Sequence, residues 1–281
     1  MTSFSNKLSD NWTIQSSEKI GPGGEQISSP GFDTSGWFPA EVPSTVLASL
    51  VKNQLYKDPY FGSNINDIPG EAFRVPWWYR TSFDLDLDPE QAGKTVRISF
   101  DGINYKANIW LNGRQIAGSQ TASGTYRRII LNITDHVVSA NNVLAVEIIP
   151  PVPGDFSIGF VDWNIYPPDQ NMGIFREVKL HINGDVSIEN PFVETKVDTK
   201  TLRNAALSIS AELENHSAIR ASGILEGSLC SALVSKPFVL EPGERKEFIF
   251  SPEEFPDLQI REPDLWCHYQ LGNPSIHSVV L

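Results

Sequence analysis

A two-residue alternation of apolar and polar side chains constrains this chain more than any other feature. Val96, Ile98 and Phe100 alternate with Arg97 and Ser99, and Ala107, Ile109 and Leu111 alternate with Asn108 and Trp110. Leu144, Val146 and Ile148 keep the same step, as do Leu207, Ile209, Ala211 and Leu213. Successive side chains of an extended strand point to opposite faces, so each run offers one face to a core and one to solvent. Turn signals separate the runs: NGR at Asn112, ASG at Ala122, ANN at Ala140 and EPGE at Glu241. Short strands punctuated in this way build antiparallel sandwiches or barrels. The chain therefore reads as all-β, and its 20 Gly and 20 Pro suit the many turns such a fold needs.

Helix signals are few. PSTVLASLVKN predicts one short helix, with Ser44 or Thr45 as its cap and Val46, Leu47, Leu50 and Val51 on one stripe. DPEQAG at Asp88 reads as a single helical turn. Gly184 and Asp185 interrupt a strand pattern that restarts at Val186, which places a domain boundary there and predicts units 1–184 and 185–281. The second has the size of an immunoglobulin-like sandwich. PSIHSVVL, at the C-terminal end, predicts a strand bearing Ile276, Val279 and Val280.

The formal net charge of -12 argues against nucleic acid as a partner, because phosphate binding needs a basic surface. No apolar run approaches the roughly 20 residues needed to span a bilayer, so no membrane partner is expected. The N-terminal MTSFSNKLSDNWTI has no apolar core of a signal peptide. Cys230 and Cys267 lie outside any CxxC pair and read as two buried thiols, with one disulfide as the alternative. His136, His181, His216, His268 and His277 lack metal-ligand spacing, so no zinc site is expected. Neither a G-x-S-x-G elbow nor a phosphate-binding glycine loop occurs.

One stretch departs from the strand pattern: VDWNIYPPDQNMGIFREVKL, residues 161–180. Pro167 and Pro168 fix φ and remove two backbone donors, so this is a stiff loop ahead of a strand. Asp169, Asn171 and Arg176 sit at the same corner, with Arg176 expected to pair with Asp169 or Asp162 and steady it. Trp77, Trp78 and Tyr79 open an alternating strand in which Tyr79, Thr81, Phe83 and Leu85 face inward. Trp78 is then expected on the outer face, and Trp110, opposite Ile109 and Leu111, as the better exposed aromatic.

Several stretches together resemble a known family. VPWWYRTSFDLDL, DGINYKANIWLNGRQIAG, LNITDHVVSANNVLAVEI and DWNIYPPDQNMGIFREVKL are similar, in order, to the N-terminal sugar-binding domain of glycoside hydrolase family 2. The upstream FDTSGWFPAEVPSTVLASLVKNQLYKDPYFGSN looks like the opening of the same domain, with Trp37 as the Trp of its W…VPsT pattern. LEPGERKEFIF and REPDLWCHYQLGNPSIHSVVL resemble the immunoglobulin-like domain that follows. PWWYRT and PPDQNMGI point to the exo-β-D-glucosaminidase and β-mannosidase branch. One departure is LWCHYQLG, where the family usually shows a second Trp and a Pro in place of Cys267 and His268.

The resemblance implies a jelly-roll, galactose-binding-like sandwich followed by an immunoglobulin-like sandwich. It implies a retaining glycosidase, whose two carboxyl groups stand about 5 to 5.5 Å apart. The family keeps that pair on a (β/α)₈ barrel of roughly 250 residues that follows the two sandwiches. No βαβα alternation appears here, so no catalytic residue, cofactor or metal is expected in this chain. The substrate implied is a β-linked amino sugar or mannoside, met together with such a barrel. In the mannosidase-like branch an Asp-Trp pair on this loop reaches the barrel mouth, which makes Asp162 and Trp163 the substrate-binding candidates. A carboxylate accepts two hydroxyl donors at once, and an aromatic face suits the C–H side of a sugar ring. The plain alternative has Asp162 capping a turn and Trp163 filling core. A stand-alone carbohydrate-binding protein and a structural pair of sandwiches without a sugar role are the competing functions.

Overall fold

The computed structural model describes residues 4–85, 94–159, 163 and 165–281. The helical turn expected at Asp88 and the side chain of Asp162 lie outside the described residues. The chain divides after Ile182 into two compact units, each with its own apolar core.

The first unit contains β1 (Phe4–Lys7), β2 (Trp12–Ser16), β3 (Phe38–Ala40), β4 (Ser44–Thr45), β5 (Trp77–Phe83) and β6 (Thr95–Phe100). It continues with β7 (Lys106–Leu111), β8 (Arg114–Ala117), β9 (Ile129–Asn132), β10 (Asn142–Ile149), β11 (Gly173–Ile174) and β12 (Val178–Asn183). A four-stranded sheet, β1-β12-β6-β9, faces a six-stranded sheet, β3-β2-β5-β10-β7-β8, and β11 pairs with β4. Trp12, Tyr79, Ile98, Phe100, Ile109, Leu144 and Leu180 fill the core between the two sheets. Burial of each such side chain is worth about 1.5–3 kcal/mol, which is what holds two sheets face to face. β7 keeps strict alternation, and its hairpin to β8 turns on Asn112 and Gly113, both at positive φ. That backbone is the one a tight two-residue hairpin requires.

Two helices flank these sheets, α1 (Gly24–Ile27) and α2 (Val46–Lys52). The second is the expected one: the Thr45 side chain accepts from Ala48 N at 3.2 Å, and Val46, Leu47 and Leu50 are buried. The second unit contains β13 (Val186–Val197), β14 (Asn204–Asn215), β15 (Ala221–Leu229), β16 (Ala232–Leu240), β17 (Arg245–Phe250), β18 (Gln259–Arg261) and β19 (Val279–Val280). β13, β17 and β18 all pair with β14, and β16-β15-β19 forms the opposing sheet. β14 alternates without exception, with Leu207, Ile209, Ala211 and Leu213 turned into the core.

Four expectations need correction. Arg97 and Ser99 are buried despite their outward alternation. Their strand is central in its sheet, flanked by β12 and β9, and His181 on β12 places its Nε2 2.8 Å from Ser99 Oγ. Trp78 does point away from the main core, yet it is buried, and Trp110 is half-buried beside it. Ile20, Ile27, Phe32 and Trp37 from the segment between β2 and β3 close over both rings. Cys230 is exposed and Cys267 half-buried, and both are free thiols. Cys230 occupies the turn between β15 and β16 at φ 55, a position that projects its side chain outward. Finally, the strand expected over PSIHSVVL shortens to Val279–Val280, and Ile276 is exposed.

Candidate functional site

The loop between β10 and β11 is built from two anchored limbs. Its first limb turns on Val152-Pro153-Gly154-Asp155. The Asp155 carboxylate accepts from Val152 N at 3.1 Å and from Lys106 Nζ at 3.1 Å. Ser157 then donates its hydroxyl to Asn104 Oδ1 at 3.0 Å.

The second limb begins at Pro167. Gln170 N donates to Pro167 O at 2.9 Å, so Pro167 to Gln170 form a turn with Pro168 at its second position. Proline is preset for that position. The next residue, Asp169, is 2% exposed. Its Oδ2 accepts from Leu47 N at 3.0 Å, and its Oδ1 accepts from Asn171 N at 3.0 Å. The Thr45 hydroxyl also reaches it. Asp169 therefore caps α2 from a loop 122 residues downstream. Burial pushes its carboxyl above the usual range, and the Leu47, Thr45 and Asn171 donors oppose that shift. Tyr79 is pushed up in turn, first by its own burial and then by the charge of Asp169.

The limb ends on Met172 and Gly173. Met172 O accepts from Val46 N at 2.9 Å. Gly173 has φ 147, and a Cβ there would lie 2.7 Å from both Ser44 O and the Tyr79 hydroxyl, so only glycine fits. Asn171, at φ 57, passes its carbonyl to Asn104 Nδ2 at 3.1 Å. The expected pairing of Arg176 with Asp169 does not form. Arg176 is exposed, its guanidinium over the Phe175 ring at 5.9 Å, while buried amides already occupy the Asp169 oxygens.

Between the limbs, the described side chains of Trp163, Ile165 and Tyr166 face outward. Trp163 is 84% exposed, and Phe156, Ile165 and Tyr166 are exposed with it. The alternative in which Trp163 fills core is thereby excluded. Tyr126, on the loop between β8 and β9, is exposed as well and meets Phe175 edge-on. The arrangement presents aromatic faces on a fixed base. It does not offer Asp169 as half of a catalytic pair, because both of its oxygens are engaged inside the fold.

Sequence reasoning missed the residue that joins these loops. Asn104 is 0% exposed, with donors to the second limb and acceptors for the first. A single Asn between a turn and a strand carries no local signal of such a role.

The same residues bear comparison with known proteins. Residues 12–154 match the family model described as "Glycosyl hydrolase 2 galactose-binding domain-like". An exo-beta-D-glucosaminidase of Streptomyces avermitilis is 34% identical over 271 residues, 96% of this chain and 30% of its own length. A mannosylglycoprotein endo-beta-mannosidase of Lilium longiflorum is 30% identical, over 97% of this chain and 31% of its own length. Among solved structures, the Amycolatopsis orientalis exo-chitosanase superposes with a TM-score of 0.85 and 30% identity, over 99% of this chain and 33% of that one. This chain thus spans about 30% of the length of the curated relatives it matches.

Proposed function

The chain belongs to glycoside hydrolase family 2, and from that membership we propose that it is the non-catalytic N-terminal region of an exo-β-D-glucosaminidase-like retaining glycosidase. The observation that carries the reading is coverage. Relatives named exo-beta-D-glucosaminidase align with 96% of this chain, over the same succession of two sandwiches, and extend far beyond it. The substrate class is a β-linked amino sugar, with a β-mannoside as the second member.

In this reading the chain completes the sugar pocket of a catalytic barrel and braces that barrel. The loop between β10 and β11 is the part that meets the sugar. Trp163 offers an aromatic face to the ring, and Asp162 accepts hydroxyl donors. The support for Trp163 is its exposure at 84% on a loop held at both limbs. Pro167, Pro168, Asp169 and Asn171 keep the second limb in place, and Arg176 stands beside it.

The test uses an enzyme in which this chain precedes a family 2 barrel. A hydrogen bond to a charged group is worth about 1.5–3 kcal/mol, so Asp162→Ala is expected to lower kcat/KM for a β-glucosaminide roughly 10- to 100-fold. Trp163→Ala is expected to act in the same direction, and neither change should shift the unfolding midpoint. Unchanged kcat/KM in both variants would reduce the loop to a structural corner.

A further inference from the structure

We infer that Asn104 is the positioning residue of the loop that bears Trp163; the inference rests on the reading of Trp163 as sugar-facing. A carboxamide has two N–H donors and two carbonyl lone pairs, and Asn104 uses all four. Nδ2 donates to Gln170 O at 2.8 Å and to Asn171 O at 3.1 Å. Oδ1 accepts from Thr125 Oγ1 at 2.8 Å and from Ser157 Oγ at 3.0 Å. Its backbone adds a reciprocal pair with Gly173: Asn104 N donates to Gly173 O at 2.9 Å, and Gly173 N donates to Asn104 O at 3.0 Å.

One side chain therefore ties both limbs of the loop to each other and to the neighbouring loop between β8 and β9. Trp163 lies between the two attachment points, Ser157 and Gln170. Thr125 and Ser157 share one acceptor atom, which brings the backbones that carry the exposed Tyr126 and Phe156 together. Asn104 is itself fully buried, so removing the carboxamide leaves its four partners without the protein group that joins them. Core packing does not need a carboxamide here, since an apolar residue of like size would fill the same space. What the amide adds is a fixed geometry for three otherwise separate loops.

Amide hydrogen exchange on the 281-residue chain reads this directly. Asn104→Ala is expected to speed exchange about tenfold at residues 152–158 and 168–173, with β5, β10 and β14 unchanged. The double variant Thr125→Val, Ser157→Ala keeps Asn104 and is expected to loosen 152–158 and the loop between β8 and β9 around Thr125, with 168–173 unchanged. It serves if Asn104→Ala fails to fold. Unchanged loop exchange, or acceleration spread evenly over the first sandwich, overturns the inference. In an enzyme that carries this chain before a barrel, Asn104→Ala is expected to raise KM for a β-glucosaminide roughly tenfold while kcat holds within about twofold. Trp163→Ala in the same enzyme is the control. If it raises KM and a loosened Asn104→Ala loop does not, the positioning role fails. If Trp163→Ala leaves KM alone, the sugar-facing reading is what fails.

Discussion

At the scale of single residues, Gly173 and Asp169 show how a surface loop is fixed from below. Gly173→Ala puts a methyl group 2.7 Å from a backbone carbonyl and from the Tyr79 hydroxyl, at a φ that L residues rarely adopt. We expect a loss of about 2–3 kcal/mol, read as a lower denaturation midpoint at unchanged m-value. Asp169 makes a prediction with a sign. Burial raises its carboxyl in the folded state above the unfolded value near 3.8. Its contribution to stability is thus fully present below that unfolded value and is lost as pH rises through the raised folded one. Asp169→Asn cannot ionise, so the stability of the native chain relative to this variant should be greater near pH 4 than at pH 7. Urea unfolding of both proteins at the two pH values measures it, and a gap that widens toward pH 7 contradicts it. The half-buried Glu177 behaves in the opposite way. Hydrogen bonds from Lys179 and Lys7 push it down to about 2. Its contribution is present above the unfolded value of 4.5 and fades as pH falls toward 2.

At the scale of elements, the segment carrying α1 acts as a cover for the outer face of the six-stranded sheet. Arg80 pins it by donating to Ile27 O at 2.9 Å and Ser29 O at 3.3 Å. Gly24 lets it approach, since a Cβ there would lie 2.3 Å from the Trp110 indole nitrogen. Gly24→Ala is expected to lift the segment, cost about 1–3 kcal/mol, and shift tryptophan fluorescence to the red as Trp78 and Trp110 meet water. Unshifted fluorescence would mean the indole gives way without the cover moving. Helix α2 joins the loop between β10 and β11 through two caps, Thr45 locally and Asp169 from afar. The first was legible, because Thr before an apolar stripe is a local pattern. The second was not, and Asp169 looked like an ordinary turn residue after a double proline.

For the molecule as a whole, the described residues form two β-sandwiches, and neither resembles the alternating strands and helices of a (β/α)₈ barrel. The 281-residue chain by itself is therefore expected to leave a chromogenic β-D-glucosaminide unhydrolysed. Turnover that survives purification and follows the chain through a second column would refute this. The sequence by itself determined the class of fold, the strands of strict period two, the Asn112–Gly113 turn and helix α2. All of these rest on interactions within a few residues, so neighbours in sequence are enough to reveal them. Only the tertiary structure decided that Trp78 and Trp110 lie under a cover, that Asp169 caps a helix 122 residues away and that Asn104 gathers three loops. Burial is set by which distant segment lands on a face, and a polar side chain is spoken for only once its remote partners arrive; no local pattern encodes either.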